Sequence, residues 1–190
     1  VELVLTYSAP PDLVVPLIAG GLPALTRSLE GVEDRDDEGR RDLLAAGVKA
    51  GDVVVGLAAS GRTPYVLGAL AAAREVGAIT VGMSCNRPAP ILDAADIGVA
   101  LLVGPEVITG STRMKAGTAT KLVLNMISTA VMVKLGRVKG NRMVDMQLSN
   151  NKLIDRGTLM VMEGTGVDYE TANGLLKKFG SVRAAIDSKG

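Results

Sequence analysis

Short, uninterrupted aliphatic runs are the feature that most constrains the fold of this 190-residue chain. Four of them, each close to turn residues, are predicted to be strands: Leu13–Ala19, Val53–Leu57, Ile79–Met83 and Ile97–Val103. Because their hydrophobicity is continuous rather than alternating, both faces of each strand are expected to be covered. The runs therefore predict the parallel sheet of an α/β fold.

Segments with helical character lie between and after these strands. The best defined is Pro64–Val76, which has Thr63 at the N-cap, a proline at its first position and Gly77 just past its end. The other predicted helices are Leu22–Leu29, Asp34–Ala46, Thr112–Leu135, Asn151–Glu163, a short helix between Asp168 and Gly180, and a last turn at Val182–Ile186. The alternation is typical of βαβ units and predicts a three-layer fold, a parallel sheet flanked by helices.

The predicted elements fall into two parts. Residues 1–164 are expected to form one α/β domain, and residues 165–190 a small helical appendage. The longest apolar run, Leu122–Val133, contains polar residues and is shorter than the roughly 20 residues that span a bilayer, so a buried helix is predicted there. The start of the chain has no secretory signal pattern, which predicts a cytoplasmic protein.

Composition excludes several kinds of chemistry and partner. The chain contains no histidine, so Ser-His-Asp triads, Cys-His pairs and the common zinc sites are unavailable. A net charge of +1 gives no electrostatic case for binding nucleic acid or an anionic membrane. The single cysteine, Cys85, excludes an internal disulfide and is expected to be a packed residue in a reducing compartment. Acid–base chemistry must therefore come from carboxylates, lysine, tyrosine or the single thiol.

The most informative loop is Gly56-Leu-Ala-Ala-Ser-Gly-Arg-Thr-Pro64, which joins a predicted strand to a predicted helix. Its small residues let a ligand approach the backbone, and Ser60 and Thr63 supply hydroxyl groups. The helix N-terminus adds free N–H groups. The loop matches neither the Walker loop nor the dinucleotide fingerprint. The pattern favours a site for a phosphate monoester, with an ordinary capped turn as the alternative.

A second motif, Gly104–Thr118, places hydroxyl and cationic side chains at the start of the longest predicted helix. Ser111 and Thr112 precede the helix, and Arg113 and Lys115 belong to its first turn. Cations at a helix N-terminus oppose the helix dipole, so a bound anion would relieve the conflict. The motif is able to gather an anionic sugar or a carboxylate; the alternative is an elaborate N-cap with solvated charges.

The motifs together resemble a known family. Gly104–Thr118, continued by Lys121–Thr129, resembles the signature shared by the N-acetylmuramic acid 6-phosphate etherases and the glucokinase regulatory protein. Both belong to the sugar isomerase (SIS) superfamily, whose sugar-phosphate loop Ala59–Tyr65 resembles. Met143–Met146 and Asn151–Arg156 also match the etherase pattern. The resemblance implies a SIS-like fold in a homodimer that binds a small sugar phosphate, with neither metal nor other cofactor. The implied substrate-binding residues are Ser60, Gly61, Arg62, Thr63, Glu106, Ser111, Thr112, Arg113 and Lys115.

The resemblance also implies a lyase reaction of peptidoglycan recycling that uses two glutamates. Glu2 matches the first catalytic position, although Val4 and Leu5 replace two prolines, and Glu33 matches the second. Cleavage of the D-lactyl ether requires removal of the C2 proton and protonation of the ether oxygen, and two carboxyl groups in different protonation states can do both. Water then adds to give N-acetylglucosamine 6-phosphate and D-lactate. Glu2 is expected to be the proton donor, and Glu33 is favoured as the base, although the sequence leaves that assignment open.

The chain departs from the family pattern at both ends. Family members carry, before the position of Glu2, a helical region and a first strand with its own Gly-Thr-Ser-Gly-Arg loop, and their C-terminal helical region is longer. A missing strand is expected to expose a sheet edge and to remove one of two ligand loops. Two alternatives to an etherase therefore stay open: a non-catalytic sugar-phosphate-binding regulatory module, and an inactive truncated remnant.

Overall fold

The computed structural model describes residues 2–189, without the side chain of Glu2. The catalytic role predicted for that side chain therefore concerns atoms outside the described part. The chain divides into a sheet unit, Val15–Leu124, and a helical unit, Val1–Val14 with Asn125–Gly190.

Three of the four predicted strands form the sheet of the sheet unit. β1 (Val53–Leu57), β2 (Ile79–Ser84) and β3 (Ile97–Ala100) are parallel and lie in that order, with Gly56 opposite Gly82. Their valines and isoleucines favour strands because branched side chains pack well on a pleated surface. The predicted α/β fold with a parallel sheet flanked by helices is confirmed.

Helices cover one face of this sheet. α3 (Pro64–Glu75) follows β1, α4 (Pro90–Ala94) follows β2, and both pack against the strands. α3 lies so close to β1 that a Cβ on Gly56 would be 2.8 Å from the Leu70 side chain. Leu70 is fully buried, and so is Ile91 of α4. The core of the sheet unit therefore lies between the sheet and these helices.

The second face of the sheet is largely open in the described chain. Val53, Ile79 and Ile97 stand on this face at the amino ends of the strands and expose 59%, 49% and 52% of their surface. At the carboxyl end, Met83 is buried. The expectation that both faces of every strand are covered is therefore not met within the sheet unit, whose own helices pack on the first face.

Two predicted elements before β1 are wrong. Leu13–Ala19 was expected to be a strand, but only a 3₁₀ turn, Pro11–Leu13, and irregular chain are found. Pro10, Pro11 and Pro16 lack the N–H groups that a strand must donate.

The predicted helix Leu22–Leu29 is reduced to a 3₁₀ turn at Leu22–Leu25. Its leucines find nothing to pack on, since Leu22 and Leu25 are both exposed. A short helix without a buried face has little to stabilise it. By contrast, α2 (Asp36–Ala45) confirms the helix predicted at Asp34–Ala46, because it buries Leu43.

α5 (Lys115–Lys134) is the long predicted helix, but it is not buried. Only Ala116 and Met132 are buried along its 20 residues, whereas Leu122 and Met126 are exposed. Length and composition alone would also let this helix cross a membrane. The prediction of a buried helix at Leu122–Val133 is wrong in this structure, because the helix is apolar on several faces and would need cover on each of them.

Three capped helices build most of the helical unit. α6 (Asn151–Thr165), α7 (Tyr169–Phe179) and α8 (Val182–Asp187) begin at side chains that accept a backbone N–H, those of Asn150, Asp168 and Ser181. They share one core, which includes Val161, Leu176 and Val182. A short α1 (Glu2–Tyr7) precedes them in the chain. α6 therefore shares its core with α7 and α8, and the domain boundary at residue 164 stays a prediction.

Candidate functional site

The β1–α3 loop, residues 58–63, leaves the carboxyl end of β1 and enters α3. Gly61 at its centre is buried and has a φ of +71°. A Cβ at this position would collide with the Ala89 side chain and lie 2.6 Å from Ser84 Oγ. Only glycine fits both the backbone conformation and the available space. This explains why a small residue is needed in the predicted phosphate loop.

One carbonyl ties this loop to the end of β2. The Ala59 oxygen accepts hydrogen bonds from Cys85 N at 3.0 Å, Asn86 Nδ2 at 2.8 Å and Ser84 Oγ at 3.3 Å. Ser84 and Asn86 are therefore positioning residues that the sequence interpretation did not include. Their role could have been predicted from their position at the end of β2, because the carboxyl ends of neighbouring parallel strands meet at one edge of a sheet.

The hydroxyl groups of the loop are largely free for a ligand. Thr63 stands at the N-cap position of α3 as predicted, but its side chain makes no capping hydrogen bond. Its carbonyl oxygen instead accepts the amide N–H groups of Val66 and Leu67 at 3.1 Å. Ser60 is exposed, and its Oγ accepts only the Arg62 amide at 3.3 Å. The Arg62 side chain is exposed and forms no ion pair within residues 2–189.

The start of α5 already holds an anion, the carboxylate of Glu106. Its two oxygens accept the backbone N–H groups of Ala116 and Lys115, each at 3.0 Å. These hydrogen bonds, with the charge of Lys115, hold the pKa of Glu106 below its usual range. Glu106, predicted to bind substrate, therefore caps the helix.

The other early amides of α5 are also satisfied within the chain. Gly117 N donates to Thr112 O at 3.1 Å, and Thr118 N donates to Met114 O at 3.0 Å. Lys115 Nζ donates to Pro105 O at 2.9 Å, so this cation is turned back onto its own loop. The chain thus supplies partners for the first amides of α5, and the substrate-binding roles predicted for this motif stay predictions.

A cavity of about 320 Å³ lies between the β1–α3 loop and α5, inside the sheet unit. It is lined by the ends of β1 and β2, by Thr112 and by α5 residues as far as Leu124. Its size falls within the range of small-molecule sites. Thr112 is the predicted site residue that lines it, whereas Arg113 is exposed and Ser111 half-buried near the start of α5.

Two further side chains of this cavity matter for its chemistry. Cys85 is buried, with Sγ 3.8 Å from both Ala116 O and Thr120 Oγ1, as expected of a packed residue. Lys121 also lines the cavity. Among the described residues that line it, Lys121 is the one with a cationic side chain. The sequence analysis included Lys121 in the family signature, as the first residue of Lys121–Thr129, but assigned it no role.

Glu33, the second predicted catalytic residue, lies in a 3₁₀ turn, Val32–Asp34, that packs against α3. Its side chain is exposed, and it is not among the residues that line the cavity. The roles predicted for Glu33 and Glu2 stay predictions.

α2, the helix that follows Glu33 in the chain, packs tightly against α3. α2 packs on α3 so closely that a Cβ on Gly39 would collide with the Tyr65 carbonyl oxygen. Tyr65 Oη donates to Asp42 Oδ2 at 3.0 Å. Burial and this hydrogen bond raise the pKa of Tyr65 to about 12, so its hydroxyl remains a donor at neutral pH. The turn that carries Glu33 is therefore joined to two closely packed helices.

Comparison with known proteins agrees with the resemblance seen in the motifs. A family model described as the glucokinase regulatory protein N-terminal SIS domain matches residues 8–74. The N-acetylmuramic acid 6-phosphate etherase of Porphyromonas gingivalis strain W83 is 53% identical over 187 residues, which are 98% of this chain and 68% of that protein. The etherase of Bacteroides fragilis strain NCTC 9343 is 50% identical over 187 residues, covering 98% of this chain and 66% of the relative.

The chain therefore spans about two thirds of the length of these curated relatives. Two proteins can share a fold at a much lower sequence identity than the 53% found here over 98% of the chain. The chain belongs to the N-acetylmuramic acid 6-phosphate etherase family.

Proposed function

We propose that the protein cleaves the D-lactyl ether of N-acetylmuramic acid 6-phosphate to give N-acetylglucosamine 6-phosphate and D-lactate, as a step in the recycling of peptidoglycan. The observation that carries the proposal is the 53% identity to an etherase over 98% of the chain. The cavity beside the β1–α3 loop supports it, because about 320 Å³ accommodates a hexose derivative.

The phosphate end of the substrate is assigned to the β1–α3 loop. The hydroxyls of Ser60 and Thr63 can donate to phosphate oxygens, and Arg62 can supply a positive charge. Gly61 lets the backbone and the ligand approach each other, and the N-terminus of α3 favours an anion. The free hydroxyl of Thr63 is the structural support for this assignment.

The sugar is assigned to the cavity, with contacts from the start of α5. Thr112 lines the cavity directly. Ser111 and Arg113 flank Thr112 in the chain, and we assign them contacts with the sugar as well. Glu106 and Lys115 are assigned a supporting role, because their observed hydrogen bonds hold the loop against the helix.

The proposed chemistry needs two carboxyl groups in opposite protonation states. An ionised Glu33 removes the C2 proton of the open-chain sugar, which the C1 aldehyde acidifies, while the C3–O bond breaks. A protonated Glu2 gives its proton to the departing ether oxygen, which leaves as the hydroxyl of D-lactate. Water then adds across the C2–C3 double bond, with its hydroxyl at C3 and a proton at C2.

We further propose that the protein acts as a homodimer. The open face of the sheet and the exposed side chains of α5, such as Leu122 and Met126, give apolar surface that a second copy would cover. Glu33 is exposed and does not line the cavity of its own sheet unit, which fits a site completed by a partner. Sedimentation as a monomer at all concentrations would contradict the dimer.

A cytoplasmic location belongs to the same proposal. The free, buried Cys85 fits a reducing compartment.

A non-catalytic sugar-phosphate-binding module is the second candidate. The match of residues 8–74 to the SIS domain of a regulatory protein favours it, and so does the position of Glu33 outside the cavity. A binding module needs the β1–α3 loop and the cavity but neither glutamate. The two candidates therefore differ in lactate release and agree in ligand binding.

The test is to incubate the protein with N-acetylmuramic acid 6-phosphate and to measure D-lactate enzymatically. Glu33→Gln is expected to lower lactate release by about a hundredfold or more, because general base catalysis is lost. Its affinity for sugar phosphate should stay within about threefold of the wild type, since the change removes one charge far from the phosphate loop in the chain.

The matched control is Glu30→Gln, which alters an exposed glutamate of the same segment. Full turnover by Glu33→Gln would remove Glu33 from the mechanism. Wild-type protein that binds the sugar phosphate without releasing lactate would favour the binding module, and protein that binds nothing would favour an inactive remnant.

A further inference from the structure

Lys121 is the charged residue of the cavity, and the proposed function above gives it no role. It belongs to α5, one turn beyond the capped N-terminus, and lines a cavity whose other walls are mostly apolar or small side chains. In the part of the chain that the structure describes, its ammonium group forms no ion pair or hydrogen bond. A lysine placed this way has a positive charge available to a ligand in the cavity.

Two hydroxyl groups accompany Lys121 in the same cavity. Thr112 and Thr120 both line it, and Thr120 Oγ1 lies 3.8 Å from the buried Sγ of Cys85, which holds it in place. One ammonium group with two hydroxyls is a donor set suited to a carboxylate. The apolar walls suit the carbon skeleton that would carry such a carboxylate.

The two anionic groups of the proposed substrate can be assigned to different places. The phosphate fits the β1–α3 loop, where the Thr63 hydroxyl is free. The N-terminus of α5 cannot take the second anion without displacing Glu106, which already accepts two of its amide N–H groups. Lys121 is the remaining cation of the cavity. We infer that Lys121 binds the carboxylate of the lactyl group and is a specificity-determining residue of this site.

Lys121 would make the site selective for the substrate over the sugar product. This role rests on the proposed function, because the lactyl carboxylate is present in the substrate and leaves with D-lactate. The sugar product keeps its phosphate but has no group for Lys121. The ammonium group should therefore favour the substrate over the product, which helps the product to leave.

The test is a comparison of two ligands by titration calorimetry, N-acetylmuramic acid 6-phosphate and N-acetylglucosamine 6-phosphate. Glu33→Gln serves as the background, and D-lactate is followed in the same samples. Lys121→Met is expected to weaken binding of the muramic acid ligand by about tenfold to a hundredfold, as loss of a charged hydrogen bond does. Binding of the glucosamine ligand should change by less than about twofold, and Lys121→Arg should restore most of the lost affinity.

Lys134→Met is the matched control, because Lys121 and Lys134 are both exposed lysines of the same helix, and Lys134 does not line the cavity. It should alter neither affinity. Equal weakening of both ligands by Lys121→Met would assign Lys121 to the phosphate and overturn the inference, and so would unchanged affinity for both. If the wild type binds both ligands but releases no lactate, the proposed reaction fails while the selective loss of muramic acid binding still supports Lys121.

Discussion

Two helix beginnings in the sheet unit, those of α3 and α5, show the same sequence pattern and different structures. Each is preceded by a loop rich in serine, threonine and glycine with an adjacent arginine. At α3, the Thr63 side chain makes no capping hydrogen bond, and Val66 N and Leu67 N donate to the Thr63 carbonyl oxygen. At α5, the carboxylate of Glu106 accepts two amide N–H groups, and Thr112 O and Met114 O accept the next two.

The two helix beginnings therefore differ in one contact: a carboxylate of the chain already occupies the N-terminus of α5, whereas no side chain caps α3. Both N-termini carry the same dipole, and both loops contain the residue types that bind anions. The deciding contact at α5 comes from Glu106, nine residues before the helix. We therefore assign the phosphate to the N-terminus of α3 and an internal capping role to Glu106.

The largest expected effect comes from Gly61→Ala in the β1–α3 loop. The new Cβ would collide with Ala89 at a positive φ, so we expect a loss of about 3 kcal/mol or more in the free energy of unfolding. Sugar phosphate binding should be lost as well, because the loop must move. Urea unfolding and calorimetric titration measure the two effects.

Gly47→Ala is the control for this change. Gly47 has a φ of +78°, but a Cβ there would contact nothing within 4 Å. It should cost only about 1 kcal/mol, the strain of the backbone alone. Equal costs at the two glycines would show that the close approach to Ala89 and Ser84 is not what shapes the loop.

Thr63→Val is expected to have a smaller and more selective effect. The Thr63 hydroxyl caps nothing in the structure, so stability should change by less than about 0.5 kcal/mol. If the hydroxyl binds phosphate, affinity for N-acetylglucosamine 6-phosphate should fall by about tenfold, as measured by calorimetry. A marked fall in stability with unchanged affinity would return Thr63 to an ordinary capping role.

Glu106→Gln tests the other helix and should have the smallest effect on binding. Its backbone partners lower the pKa of Glu106 in the folded state, so the ionised carboxylate stabilises the fold above the usual pKa of glutamate. That stabilisation is lost as the pH falls below about 4 and the carboxylate is protonated. We expect the variant to melt slightly below the wild type at pH 7, and the difference to disappear in acid.

Thermal unfolding from pH 7 to pH 3 measures this prediction. Phosphate affinity should stay within about twofold of the wild type, because Glu106 does not contact the β1–α3 loop in this account. A difference in melting temperature that grows in acid would contradict the capping role.

Elements with strong local signals were predictable from the sequence. Pro64 and Gly77 give the start and end of α3 to within a residue, and Asp168 and Gly180 do the same for α7. The parallel sheet follows from the continuous apolar runs of β1 to β3. These features depend on residues close together in the chain, which is why the pattern alone was sufficient.

The features that escaped prediction depend on contacts that no local pattern records. The aliphatic run at Leu13–Ala19 resembles a strand, but the prolines around it remove donors. The exposure of α5 depends on what lies opposite it in space. The cap by Glu106 and the place of Lys121 in the cavity depend on how a loop returns to a helix.

The assignment of the phosphate to the β1–α3 loop is tested by titrating the isotope-labelled protein with N-acetylglucosamine 6-phosphate and following its amides by NMR. We expect the largest shifts at Gly61, Arg62 and Thr63, whose amides lie in the β1–α3 loop. The amides of Lys115 and Ala116 should change little, because Glu106 holds them. Large shifts at Lys115 and Ala116 with none in the loop would overturn the assignment.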